Sequence, residues 1–233
     1  MNGQDEAGRP APAFAGDFES HLTIRPGARG APDDALPRWA RRHGMKYTRI
    51  VLDRGASPDQ PMLTGRGRGT LAAQRTAARE WTDLLRRDGF DVTRLKIEAS
   101  PWNADVPLTR VQAAALPGEH CYFEHHVKLV LTDAPARLRA VRELAERHAA
   151  HLSRNARRAL DADHHERFVT QRCRGVGRFE ARRRLDALTA ALTDAGHRIV
   201  ETEEEFVVYD DNPALDAGWI HEPAPAASLG GPR

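Results

Sequence analysis

Two segments of the chain place glutamate and histidine two residues apart, a spacing that suits a chemical site on a β-strand. Residues 18–24 read Phe-Glu-Ser-His-Leu-Thr-Ile, and residues 123–129 read Phe-Glu-His-His-Val-Lys-Leu. Side chains alternate along a strand, so the polar residues of each segment share one face and the apolar residues share the other. The polar faces carry Glu19, His21, Glu124, His126 and Lys128. Because the pattern occurs twice, we interpret these five as catalytic candidates.

These side chains can do chemistry in two ways if both strands border one cleft. Imidazole and carboxylate are ligands for zinc, manganese or iron, so His21, His126, Glu19 and Glu124 form a candidate site for a divalent metal. Without a metal, burial and opposed charges can bring the pKa values of His and Glu towards neutrality for general acid and base catalysis. The sequence leaves both alternatives open, together with a third in which the strands are solvated and carry Glu–Lys ion pairs.

Two glycine-rich segments predict a binding site for an anion. Residues 65–68 read Gly-Arg-Gly-Arg and residues 175–178 read Gly-Val-Gly-Arg, each just before a predicted helix. Glycines there allow backbone N–H groups to converge on an anion at the positive end of the helix dipole, and arginine adds bidentate charge. The substrate-binding candidates are Arg66, Arg68, Arg178 and Lys96. Phosphate is the commonest anion of this kind.

The pattern of apolar residues predicts strands alternating with helices. In the first half we expect a strand at 17–25, a helix at 35–43, a strand at 46–53, a loop rich in Gly, Arg and Pro, a helix at 70–88 and a strand at 91–99. In the second half we expect a strand at 121–131, a helix at 134–158, a strand at 166–174, a helix at 178–195 and a strand at 198–210. The last helix of each half should end at a glycine, Gly89 or Gly196.

Several features recur in the same order in both halves. A glutamate follows each helix-ending glycine by nine residues, as Glu98 and Glu205. The sequence therefore predicts an internally duplicated strand-helix-strand-helix-strand unit and an α+β fold, with both units in one pseudo-two-fold body around a polar cleft or barrel between sheet faces. The boundaries predicted are a disordered tail at 1–16, repeats at 17–104 and 121–221, a linker at 105–120 and a disordered tail at 222–233.

Composition narrows the class of protein. The chain has 233 residues and a net charge of +2, which disfavours a nucleic-acid protein held by bulk charge. Cys121 and Cys173 lack framework spacing, and no segment reads as a membrane span or a signal peptide, so we expect a soluble cytoplasmic protein with free thiols. Lysine occurs only three times among 35 Lys plus Arg, each time in a predicted strand. Oligomeric state stays open.

Two resemblances imply phosphate chemistry, and each covers a single short segment. His21-Leu22-Thr23-Ile24 resembles the His-x-Thr signature of the two-histidine phosphoesterases, in which two histidines serve as acid and base, although the second copy has Lys128 in place of Thr. Glu124-x-His126-x-Lys128 is similar to the Glu-x-Glu-x-Lys strand of the triphosphate tunnel enzymes, whose barrels hold acidic and basic residues for polyphosphate and metal. Here the middle Glu is replaced. We assign the chain to neither family.

The sequence thus predicts a small enzyme, a hydrolase of a phosphoester or polyphosphate, that acts on a small anionic substrate in a Glu/His/Lys cleft with possible help from a divalent metal. The alternative is a non-catalytic protein that binds an anionic ligand or the acidic segment of a partner.

Overall fold

The structure, a computed structural model, describes residues 13–27, 34–116, 121–159 and 164–220. Its elements are β1 (Ala15–Ile24), α1 (Ala35–Arg42), β2 (Lys46–Leu52), β3 (Asp59–Thr70), α2 (Leu71–Arg87), β4 (Val92–Ala99), α3 (Arg110–Ala114), β5 (Tyr122–Thr132), α4 (Pro135–Arg147), β6 (Ala150–Ala159), β7 (His164–Arg174), α5 (Arg178–Asp194), β8 (Ile199–Asp210) and a 3-10 turn (Pro213–Asp216). The α+β prediction is confirmed. The tail predicted at 222–233, and most of the one at 1–16, lie outside the described residues.

The eight strands close into one antiparallel barrel in the order β1-β3-β2-β6-β7-β5-β8-β4. The halves of the chain meet at two seams, β2–β6 and β4–β8. The β2–β6 seam pairs three residues, Ile50–Leu52, with residues 153–155, whereas β5 and β7 pair along their entire length. Each of the described strands has a partner on both sides.

Each half contributes four neighbouring strands in equivalent order, β4-β1-β3-β2 from the first and β8-β5-β7-β6 from the second. Each follows the pattern strand-helix-strand-strand-helix-strand, with α3 between the halves. The predicted unit therefore lacked one strand. In the first half the missing strand is β3, in the segment expected to be a loop; in the second it is β6, in the segment expected to extend helix α4.

Both missed strands have compositions that are not typical of β-strands. The glycines of β3 make room for a helix, since a Cβ on Gly67 would lie 2.0 Å from the side-chain oxygen of Gln74 in α2. Helix α4 ends at Arg147, and the chain turns through Ala149 at a φ of 52° before β6 begins. Strand pairing on both sides thus overrides the weak local preference of each segment.

The apolar core lies outside the barrel, between the strands and the helices. The outward faces of β1 and β5 supply buried residues, among them Leu22 and Val127, as the alternation predicts. One cluster packs against α1 and α2, and the other packs against α4 and α5. The inward faces of the strands are left for polar side chains.

Glycines end two of the helices as the sequence predicts. Gly89 follows α2 with a φ of 86°, and Gly196 follows α5 with a φ of 77°. This left-handed conformation costs glycine little. None of the described helices is long and apolar enough to cross a membrane.

Candidate functional site

The barrel encloses a polar cavity of about 140 Å³. The side chains around it include cations, carboxylates, two histidines, hydroxyls and a few apolar groups. Its charged lining consists of Lys46, Arg66, Arg94, Lys96, Arg172, Glu19, Glu98, Glu124, Glu203, Glu205 and Asp216. His21 and His126 complete the ionisable set. Both predicted polar strand faces therefore border one cavity.

A chain of ion pairs crosses the middle of the cavity. Nε2 of His21 donates to Glu98 at 2.5 Å, and Nδ1 lies 2.9 Å from the Thr64 hydroxyl. The ammonium of Lys96 lies 2.5 Å from Glu98 and 2.6 Å from Glu124. All of these groups are buried. Lys96 therefore joins a carboxylate from β4 to one from β5.

His126 continues this chain towards the mouth of the barrel. Its Nε2 lies 3.3 Å from Glu124 and 3.3 Å from Glu205, and its Nδ1 lies 3.0 Å from the Thr170 hydroxyl. His21 and His126 are therefore connected through charged side chains of the same cavity.

Burial and pairing oppose one another in setting the protonation of the histidines. Burial alone would lower both pKa values, but Glu98 raises the pKa of His21. Hydrogen bonds to Glu124 and Glu205 raise the pKa of His126 to about 10. His126 is therefore protonated near neutral pH, and pairing with Glu98 favours the protonated form of His21.

The carboxylates divide into two kinds. His21 and Lys96 overcome the effect of burial and hold the pKa of Glu98 well below its usual range, and Arg172 and Lys96 do the same for Glu124. Burial, with the neighbouring charge of Glu98, instead raises the pKa of Glu205 to about 7. A cation bound nearby would therefore favour the ionised form of Glu205 more than that of Glu98 or Glu124.

The segment after β8 closes the base of the barrel. Asp216 accepts hydrogen bonds from Arg172 at 2.7 Å, from Arg94 at 2.8 Å and from Gln60 at 3.0 Å. Burial would raise the pKa of Asp216, but the two guanidinium groups lower it to about 2. Beside it, Trp219 lines the cavity floor. The cavity therefore ends at this base.

Two overlapping sets of side chains can hold a metal ion. Glu98, His126 and Glu205 form one set, and Glu19, His21 and Glu205 form the other, each with ligand atoms within 4.8 Å of one another. Carboxylate and imidazole suit manganese, iron or zinc. Glu205 belongs to both sets. The residues thus fit a divalent ion near the mouth of the cavity.

The structure brings together most of the residues that the sequence analysis singled out. The cavity lining contains Glu19, His21, Arg66, Lys96, Glu124 and His126. Lys128 lies on the same inward face of β5, forms an ion pair with Glu201 and approaches the Phe168 ring. Arg68 and Arg178 do not line the cavity.

The anion-binding turns expected at the glycine-rich segments do not form. Residues 65–68 belong to strand β3, where Arg66 pairs with Glu19 at 2.7 Å and Arg68 is exposed. At the start of α5, the N–H groups of Arg178 and Phe179 donate to the carbonyls of residues 107 and 108. Those donors are therefore already satisfied within the protein, which leaves them unavailable to an anion.

The sequence predicts Glu98 on the same strand face as Lys96, but Glu98 was not among the candidate site residues, and Glu205 was recognised only as a recurring glutamate. Sequence reasoning also missed Lys46, Arg94, Arg172 and Asp216. The alternation of Arg94 with Lys96 and Glu98 along β4 was a usable signal, as was the location of Lys46 in a strand in a chain with three lysines. For Asp216, in a turn after the last strand, we find no local signal.

No protein-family model and no curated protein matches the chain. Among solved structures, the chain is similar to a mutant chlorite dismutase from Candidatus Nitrospira defluvii, with 15% identity over 87% of this chain and 93% of that one and a TM-score of 0.28. A second mutant of that enzyme matches with 14% identity and a TM-score of 0.28, and its complex with imidazole matches with 14% identity and a TM-score of 0.27, each over the same shares of both chains.

Proposed function

We propose that the protein hydrolyses a small phosphate-containing molecule inside the barrel, with a divalent cation as cofactor. The observation that carries this proposal is the mixed charge of the cavity, which has five lysine and arginine side chains, two histidines and six carboxylates around one small space. A lining of one sign would suit an ion of opposite sign. A lining of both signs suits a ligand that carries both, and a divalent cation bound to a phosphate is such a ligand.

The cation half of this ligand would bind at the set Glu98, His126 and Glu205, which leaves His21 outside the metal's ligands. Burial raises the pKa of Glu205 and the charge of Glu98 adds to the effect, and a cation there would offset both. Binding through His126 requires the imidazole to lose its proton, so affinity should rise with pH. When bound, such an ion polarises a phosphoryl oxygen and offsets its charge.

The phosphate half would meet the deeper cations. Lys96 and Arg172 now neutralise Glu98, Glu124 and Asp216, and phosphate oxygens would share these donors. Donors fixed before the reaction stabilise charge that develops in the transition state. Glu98 favours the protonated form of His21, and in that form His21 can give a proton to a leaving oxygen.

Two further features support the proposal. The resemblance of Glu124-x-His126-x-Lys128 to the triphosphate tunnel enzymes implies a barrel with acidic and basic residues inside, and the cavity has such a lining. We also infer that the chain is an internal duplication with pseudo-two-fold symmetry. The equivalent strand order of the halves and the matching positions of Glu98 and Glu205 support that inference.

Phosphate release by metal-free protein with added Mn²⁺ or Mg²⁺ tests the proposal, with phosphomonoesters, phosphodiesters, nucleotides and tripolyphosphate as substrates. We expect metal-dependent turnover that a chelator abolishes. Glu205→Gln should lower kcat/KM at least 100-fold and weaken Mn²⁺ binding in calorimetry. Glu180→Gln is the matched control, because Glu180 pairs with Arg183 and Arg184 of α5 and lies outside the cavity, and it should stay within twofold.

The outcome separates this function from its alternative. Binding of a phosphate compound with no release of phosphate in any metal would identify a non-catalytic anion-binding protein. Equal turnover of wild type and Glu205→Gln would contradict the proposed metal site.

A further inference from the structure

A second cavity of about 490 Å³ lies at the mouth of the barrel. It shares five residues with the inner cavity, so one ligand can extend from one into the other. The shared residues are Glu19, Arg66, Glu98, Glu203 and Glu205. The inner cavity has room for phosphoryl groups but not for a larger group. The outer cavity has room for a larger group.

The outer cavity is bordered by an exposed aromatic side chain, Trp102, which follows β4. Its exposed fraction is 73%, the largest of any described tryptophan, and exposure of so much apolar surface is unusual for this residue type. The guanidinium of Arg178 lies 4.2 Å from the centre of the ring, and its Nη1 donates to the carbonyl of Pro101 at 2.9 Å. Arg178 thus fixes the ring from one side and leaves most of its surface accessible.

The charges of the outer cavity select against a second anion. Six carboxylates border it, and Arg66 is the cation of its described lining. The carboxylates are Asp17, Glu19, Glu98, Glu203, Glu204 and Glu205. A polyphosphate chain that emerged from the barrel would be repelled here. A neutral or cationic group that carries N–H or O–H donors would instead find acceptors.

We infer that the substrate is an organic phosphate with a heteroaromatic group, such as a nucleotide, whose ring stacks on Trp102 while its phosphates enter the barrel. This inference rests on the proposed function for the phosphate end. Arg178, which the sequence analysis placed among the substrate-binding residues, acts here as a positioning residue for Trp102. An aromatic platform and acidic surroundings distinguish such a substrate from inorganic polyphosphate.

The test compares the four ribonucleoside triphosphates with inorganic tripolyphosphate, which carries the same phosphate chain without a base. Stacking of a base on an aromatic residue changes affinity by roughly 5- to 100-fold. Trp102→Ala should therefore raise KM for the preferred nucleotide about tenfold and leave KM for tripolyphosphate within twofold. Trp102→Phe should retain most of the nucleotide affinity. Phe179→Ala, which removes an exposed aromatic outside this cavity, is the matched control and should change neither.

Calorimetric binding of the same compounds separates failure of this inference from failure of the proposed function. If no compound is hydrolysed but Trp102→Ala selectively weakens nucleotide binding, the inference stands and the proposed hydrolysis does not. If no nucleotide binds more tightly than tripolyphosphate, or if Trp102→Ala affects both equally, the inference is overturned whatever the turnover.

Discussion

The base of the barrel offers a sharp test of the charge network, through the substitution Asp216→Asn. This change keeps the shape of the side chain and removes the charge that Arg94 and Arg172 share. Removal of one partner from a buried ion pair costs about 3–5 kcal/mol, because the remaining charge stays buried. Arg94 keeps Asp210 as a partner, Arg172 keeps Glu124, and the amide oxygen can still accept one hydrogen bond. We therefore expect a loss at the lower end of this range, about 3 kcal/mol in the free energy of unfolding at pH 7.

The pKa of Asp216 gives an independent magnitude. It is about 2 in the fold against 3.8 for the free side chain, a difference worth about 2.4 kcal/mol. Because the pKa is lowered in the folded state, this stabilisation is present above about pH 3.8 and is lost as the pH falls towards 2. Linkage predicts that roughly half of it remains at pH 3.

Urea denaturation of wild type and Asp216→Asn between pH 7 and pH 3 measures both effects. The difference between the two unfolding free energies should stay constant from pH 7 to pH 5 and shrink by about 1 kcal/mol at pH 3. Asp83→Asn is the control, since Asp83 is exposed and lies 4.0 Å from Arg86, and it should change stability by less than about 0.5 kcal/mol. A difference that does not vary with pH would refute the assignment of Asp216 as an ionised partner.

Two further predictions concern buried groups in other parts of the structure. Lys96→Met should destabilise the protein by about 3–5 kcal/mol in urea denaturation, because two buried carboxylates lose their shared cation. Lys128→Met, at the mouth of the barrel, is the control and should cost less than about 1 kcal/mol. Equal losses in the two variants would contradict the network. Burial lowers the pKa of His125 below 6.5, so its contribution to stability is present above pH 6.5 and declines as the pH falls below it. His125→Gln lacks this titration, so the unfolding free energy of wild type minus that of the variant should fall from pH 7 to pH 5. A difference curve that is flat between pH 7 and pH 5 would contradict it.

The sequence predicted the inward-facing residues better than it predicted the number of strands. Alternation in β1 and β5 correctly assigned Glu19 and His21 to one face and Leu22 to the other, because a one-residue error in register would bury charge in the apolar shell. Strand β3 was missed because its glycines and proline resemble a loop. Its partner β2 precedes it by a short loop, but its partner β1 is distant in sequence, and local propensity does not report that pairing.

The site was predicted in part for the same reason. A strand face shows its residues at a spacing of two, so His21 and His126 could be recognised locally. The proximity of Glu205 to His126 depends instead on the pairing of β8 with β5, which brings together residues about 80 positions apart. Asp216 joins the network only because the chain folds back under the barrel, and no periodic pattern encodes such a turn.

The short β2–β6 seam of the barrel has a consequence for its motion. Three residue pairs hold β2 to β6, so fewer ladder hydrogen bonds must break to part the barrel there than along β5 and β7, which pair over eleven positions. Local opening of lowest free energy should therefore begin at this seam. Amide protons of residues 50–52 would then exchange with solvent faster than those of the central residues of β5. Local opening would therefore occur on the side of the barrel opposite the β4–β8 seam.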